Sequence, residues 1–89
     1  MSAKKGSLLL HRAKTSPYGW QRTELDKLYK HYGFIIEAAA KHDIVKYPDY
    51  PDLRATLTRS SSELHPDYVR HAVDMIEKLL ERKKGIENE

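Results

Sequence analysis

The chain has 89 residues, no cysteine, and 16 Lys and Arg against 13 Asp and Glu, a formal net charge of +3. That length fits one small domain with one core and excludes the large cofactor-binding folds; the lack of cysteine excludes disulfides, thiolate zinc sites and a cysteine nucleophile. The charge is uneven: residues 1–23 hold Lys4, Lys5, Arg12, Lys14 and Arg22 with no acid, a net +5, and the remainder is −2. Apolar runs such as Leu8–Leu10 and Ala38–Ala40 are far shorter than a membrane span, and Lys4-Lys5 before three leucines is too short for a signal peptide. The expectation is a soluble cytoplasmic protein without a membrane partner.

Residues 1–19 read as a basic N-terminal arm, partly disordered. Met1 to Ser7 has the composition of a tail, Leu8–Leu10 suits a short strand or one helical turn, and Ser16-Pro17-Tyr18-Gly19 is a turn signal. A helix is expected from about Trp20 to His31. Leu25, Leu28, Tyr29 and Tyr32 recur at i, i+3, i+4, i+7, Thr23 is placed to cap, and Gly33 is the stop signal. Phe34–Glu37 and His42–Tyr47 then read as strands. Pro48–Asp52, with two prolines, reads as a turn, and Leu53–Thr58 as a third strand. Arg59–Glu63 is a serine-rich loop. A second helix spans about His65 to Lys84, with Pro66 at its first position and Val69, Ala72, Val73, Ile76, Leu79 and Leu80 as its apolar stripe. Residues 85–89 form a tail.

This order is α-β-β-β-α, an α+β fold. Short links favour antiparallel hairpins, and two helices with one apolar face each cover one side of a three-stranded antiparallel sheet. The other face of the sheet is left open. Residues 20–84 form this domain.

Several segments together resemble the HicA-type toxins. Glu24-Leu25 opens a helix that leads through His31 into Gly33-Phe34 and a strand. Lys41-His42 then places a lone histidine at the start of the second strand. Tyr47-Pro48-Asp49 is similar to the family's His-Pro-Asp turn. Thr58-Arg59-Ser60-Ser61-Ser62-Glu63-Leu64, before a proline-opened helix, is similar to its Pro-Arg-His-Ser-Gly-Glu-Leu segment. The resemblance covers roughly Thr23 to Leu80 and leaves out the basic arm. It implies a double-stranded-RNA-binding-like fold, an endoribonuclease (mRNA interferase) of a type II toxin–antitoxin system, a HicB-type antitoxin partner, and His42 as catalytic residue. The chain departs from the pattern at the glycine before that histidine, where Ala39-Ala40-Lys41 stands, and at Ser60 and Ser62, which replace a histidine and a glycine.

The chemistry fits those residue types. Imidazole in general titrates at about 6.5 and can take or give a proton near neutrality. RNA carries its own nucleophile, the 2′-OH, so one histidine acting as general acid or base beside cations makes a minimal ribonuclease without a metal or cofactor. Lys41, Lys46, Arg54, Arg59 and Ser60 are the candidate RNA contacts, and Tyr47 and Tyr50 could stack on bases. The plain alternative is solvated charge and half-buried turn tyrosines. In strand alternation His42, Ile44 and Lys46 share one side and Asp43, Val45 and Tyr47 the other, which leaves the apolar face open. His11, His31, His65 and His71 form no metal-ligand spacing and read as surface or capping residues. Two other functions fit the same residues: a non-catalytic RNA-binding module of this fold, and a protein-interaction domain. The partners implied are mRNA, the antitoxin and a weakly associating second copy.

Overall fold

In a computed structural model, residues 2–59 and 63–87 are described, with side chains for 8–59 and 63–84. The element order is α1 (Ser2–Thr15), α2 (Arg22–His31), β1 (Ile35–Ala38), β2 (Asp43–Tyr47), β3 (Tyr50–Leu57) and α3 (Pro66–Glu87). The sheet is antiparallel in the order β1-β2-β3, with Ile36 opposite Val45 and Val45 opposite Ala55. The α-β-β-β-α body is therefore present, with helices packed on the sheet and one further helix before it.

α2 starts two residues earlier than a Thr23 cap requires. Gln21 is the cap, because the Glu24 carboxylate reaches back and accepts its N–H at 3.2 Å. Its C-terminus follows from Gly33. With φ +91°, this glycine lets its own N–H bond the Lys30 carbonyl (3.1 Å) while the Phe34 N–H bonds that of Tyr29 (3.2 Å). That is the paired closure of a Schellman motif, and the rings of Tyr29 and Phe34 supply its apolar contact at 5.3 Å, edge to face.

Burial settles which side of the sheet is inside. Val45 is wholly buried and Tyr47 nearly so, while Ile44 and Lys46 are half exposed. The helices thus cover the Asp43–Val45–Tyr47 side, and Ile35, Glu37, Ile44, Lys46, Arg54 and Thr56 lie on the open side by register. β3 begins at Tyr50 and runs through Pro51, inside the segment expected to be only a turn. An edge strand tolerates proline because its outward side has no ladder bond to lose. The register slips between Lys46 and Tyr47, so the Pro51–Leu53 stretch bulges.

The α3 stripe is buried at Val69, Ala72, Ile76 and Leu79, with Met75 completing it; Val73 is only partly buried and Leu80 faces solvent. α3 also passes through Gly85 to Glu87 rather than stopping at Lys84. The basic arm is where the chain departs most from expectation. Ser2–Thr15 is helical, and α1 docks against α2 and α3 by burying Leu10 and Ala13. Arg12 bonds Glu24 (2.5 Å) and Lys14 bonds Glu77 (2.8 Å). Trp20 is fully buried below α1. Its indole N–H donates to the Ser16 carbonyl (2.9 Å), and the Arg12 guanidinium lies 4.6 Å from its ring centre. No helix among the described residues is long and apolar enough to cross a membrane.

Candidate functional site

His42 is the last residue of the connection between β1 and β2. Ala38 pairs with Asp43, and the Ala39 N–H donates to the His42 carbonyl at 2.9 Å, so residues 39–42 form a closed hairpin loop. β2 starts at Asp43, one residue after the expected position. His42 is therefore outside the strand alternation, and so is Lys41. Both side chains are exposed at the tip of the hairpin. The His42 imidazole has no hydrogen-bond partner among the described residues, and the Lys41 ammonium has no ion-pair partner among them.

What holds this loop is a pair of arginines on one carboxylate. The Arg59 Nε donates to one Asp43 oxygen (2.8 Å), and the Arg22 guanidinium donates to the other (2.7 Å). Arg59 also donates through Nη2 to the Ala39 carbonyl and to the His42 carbonyl (3.2 Å). Arg22 further bonds Asp26 (2.6 Å) and the Thr58 carbonyl (2.9 Å). One cluster thus ties the His42 loop to the start of α2 and to the exit of β3. Hydrogen bonds from Arg59 and then Arg22 hold the Asp43 carboxyl below its ordinary range.

The remaining sequence candidates are spread out. Lys46 lies on the open face and pairs with Glu37 at 2.8 Å. Arg54 is opposite Lys46 in register, exposed, and without an ion-pair partner among the described residues. Four residues separate His42 from Lys46, about 13 Å at strand rise, so His42 at the hairpin end and Arg54 beside Lys46 stand at different levels of the sheet. Lys46, Arg54, Ile35, Ile44 and Pro51 line a shallow groove of about 450 Å³ on the open face. Ser60 lies outside the described residues. Tyr47 and Tyr50 are committed internally. Their rings stack at 5.6 Å, with Lys83 over the first and Arg82 over the second, and Arg82 also binds both oxygens of Asp52 (2.9 and 2.6 Å).

A second groove, of about 640 Å³, runs between β3 and the first turns of α3, lined by Ala55, Thr56, His65, Asp67, Tyr68 and His71. His65 caps α3 through Nδ1, which accepts the Asp67 N–H at 3.1 Å. The capping reading of His65 holds, but the sequence reading misses that both histidines border one groove. The available signal was the i, i+3, i+6 spacing of His65, Tyr68 and His71, which lines one side of a helix. Among the described residues no group of three His, Asp or Glu is arranged to hold a metal ion.

Compared with protein-family models, with curated proteins and with solved structures, the chain matches none.

Proposed function

We propose that the protein is a small endoribonuclease that cleaves RNA at the His42 hairpin, acting on mRNA as a HicA-like toxin held in check by a HicB-like antitoxin. The observation that carries this reading is the placement of His42. It is an exposed imidazole beside a lysine with no ion-pair partner among the described residues, on a loop braced from behind by Arg59 and Asp43. The α-β-β-β-α body and the sequence resemblance support it.

In the mechanism proposed, neutral His42 takes the proton of a ribose 2′-OH. The resulting oxygen attacks the adjacent phosphorus, and the P–O5′ bond breaks to leave a 2′,3′-cyclic phosphate and a 5′-hydroxyl end. The proton on His42 then returns to the departing oxygen. Lys41 neutralises the phosphate at the loop. Arg54 holds the strand farther along the open face, and Lys46 contributes only if Glu37 releases it.

The test is cleavage of labelled single-stranded and hairpin RNAs in chelator, with binding measured in parallel. His42→Ala is expected to lose about 100-fold or more of the rate while keeping RNA affinity within about threefold. Undiminished cleavage by that variant, or none by the parent chain, ends this reading. One observation favours the second reading, a non-catalytic RNA-binding module: among the described residues no side chain bonds the His42 imidazole. That reading predicts salt-dependent binding by the parent chain with no product formed.

A further inference from the structure

We propose that Arg59 and Asp43 act as positioning residues for His42, and that Arg59 serves the site through the loop backbone rather than by gripping phosphate. The catalytic part of this assignment rests on the ribonuclease reading above; the structural part does not.

The geometry is that of a staple. Arg59 lies two residues beyond the end of β3, and its fork reaches back across the sheet end to three acceptors of the β1–β2 connection: the Ala39 carbonyl, the His42 carbonyl at 3.2 Å and the Asp43 carboxylate at 2.8 Å. The first two are the carbonyls of the residues that begin and end the hairpin loop. A planar guanidinium offers several donors in fixed directions, so it can hold all three acceptors at once; a lysine ammonium has neither that span nor that plane. Asp43 is in turn fixed from its second oxygen by Arg22 at 2.7 Å. Arg22 is itself tied to Asp26 in α2 and to the Thr58 carbonyl next to Arg59. The chain of contacts closes on itself, from Arg59 through Asp43, Arg22 and Thr58 back to the segment that carries Arg59. The His42 imidazole has no partner of its own among the described residues. Its placement therefore comes from its backbone, and the backbone of that loop is what Arg59 holds.

This separates two roles that a basic residue near the site could have. A phosphate ligand contributes mainly to affinity and to its salt dependence. A staple on the loop contributes to the orientation of His42 and so to turnover, because small misplacements of a reacting group cost rate.

The experiment compares Arg59→Ala, Arg59→Lys, Asp43→Asn and the Arg59→Ala/Asp43→Asn pair with the full chain. In RNA cleavage, each single variant is expected to lower kcat about tenfold or more with KM and its salt dependence unchanged within about twofold. Lysine should not rescue, and the pair should be no worse than the poorer single. In backbone amide spectra recorded without RNA, Arg59→Ala and Asp43→Asn should shift the same signals, those of residues 39–43, with His42→Ala as a reference that leaves the Asp43 and Arg59 contacts in place. Asp43→Asn keeps the shape of the side chain and guards against a result caused by unfolding. A rise in KM with a shallower salt slope and unchanged kcat, or full rescue by lysine, overturns the proposal. Unchanged amide signals for residues 39–43 in Arg59→Ala overturn it as well. If the parent chain cleaves no RNA, the ribonuclease reading falls and the catalytic half of this assignment with it, while the spectra still decide whether Arg59 holds the loop.

Discussion

Tyr29 shows how much a single side chain can leave unresolved inside a well-packed core. Its ring is wholly buried against Phe34, yet its hydroxyl has no hydrogen-bond partner among the described residues. Burial pushes the phenol above its ordinary range. A buried hydroxyl without a partner forfeits its hydration, and removing it costs nothing in packing. Tyr29→Phe is therefore expected to raise stability by about 1 kcal/mol in urea denaturation. A loss of stability would show that the hydroxyl has found a partner. Gly33 gives the opposite case. A Cβ there would sit 3.4 Å from Tyr47 Cε1 on a backbone with φ +91°. Gly33→Ala should cost about 1–2 kcal/mol by the same measurement. The role of Gly33 was readable in the sequence, because a glycine after a run of helical periodicity has one common use. The contacts of Arg59 were not. Its position suggested a phosphate contact, and only the fold brings Asp43 and the carbonyls of residues 39 and 42 within its reach.

Among the elements, α2 and α3 could be read from their helical apolar periodicity, and the three strands from short apolar and β-branched runs set between turn signals. The helix α1 could not. It has no acid in its first turn and contains Gly6, and its only apolar run is three leucines that suit either a strand or a helix. What makes it a helix is its docking: Leu10 and Ala13 are covered by α2 and α3, and Leu8 is left outside. Tertiary burial decides here against weak local preference. Leu10→Ala should then lower stability by about 2 kcal/mol, with Trp20 fluorescence reporting the transition. Trp20 is the only tryptophan and is fully buried next to α1, so loosening of α1 should also shift its emission to longer wavelength before global unfolding. Emission that stays constant until the main transition would show that α1 and the body unfold as one unit.

For the molecule as a whole, the charge division of the sequence acquires a different meaning. The basic N-terminal segment resembles a feature for nucleic acid, but three of its cations are used on the body's own acids: Arg12 on Glu24, Lys14 on Glu77, and Arg22 on Asp26 and Asp43. Arginines from separate elements hold three carboxyls below their ordinary range: Arg59 and Arg22 hold Asp43, Arg82 holds Asp52, and Arg12 holds Glu24. A carboxyl depressed in the folded state stabilises the fold above its unfolded value, about 4. That contribution is lost as the pH falls through the lower folded value. Tm should therefore fall on acidification below about pH 4, and more gently in Asp52→Asn than in the parent chain. Asp52 is the most exposed of the three, so added salt should reduce its share of the effect. An identical acid limb in Asp52→Asn would show that the Arg82 pair contributes nothing.

The seat of α1 has a consequence for the order in which the chain is made. α1 leaves the ribosome before α3, yet α3 forms one wall of its seat, with Glu77 there to receive Lys14. During synthesis the sheet and α2 can assemble while the apolar side of α1 stays uncovered. A nascent chain therefore presents that surface until α3 has emerged, so a segment made before its seat is sheltered late and needs protection from other chains.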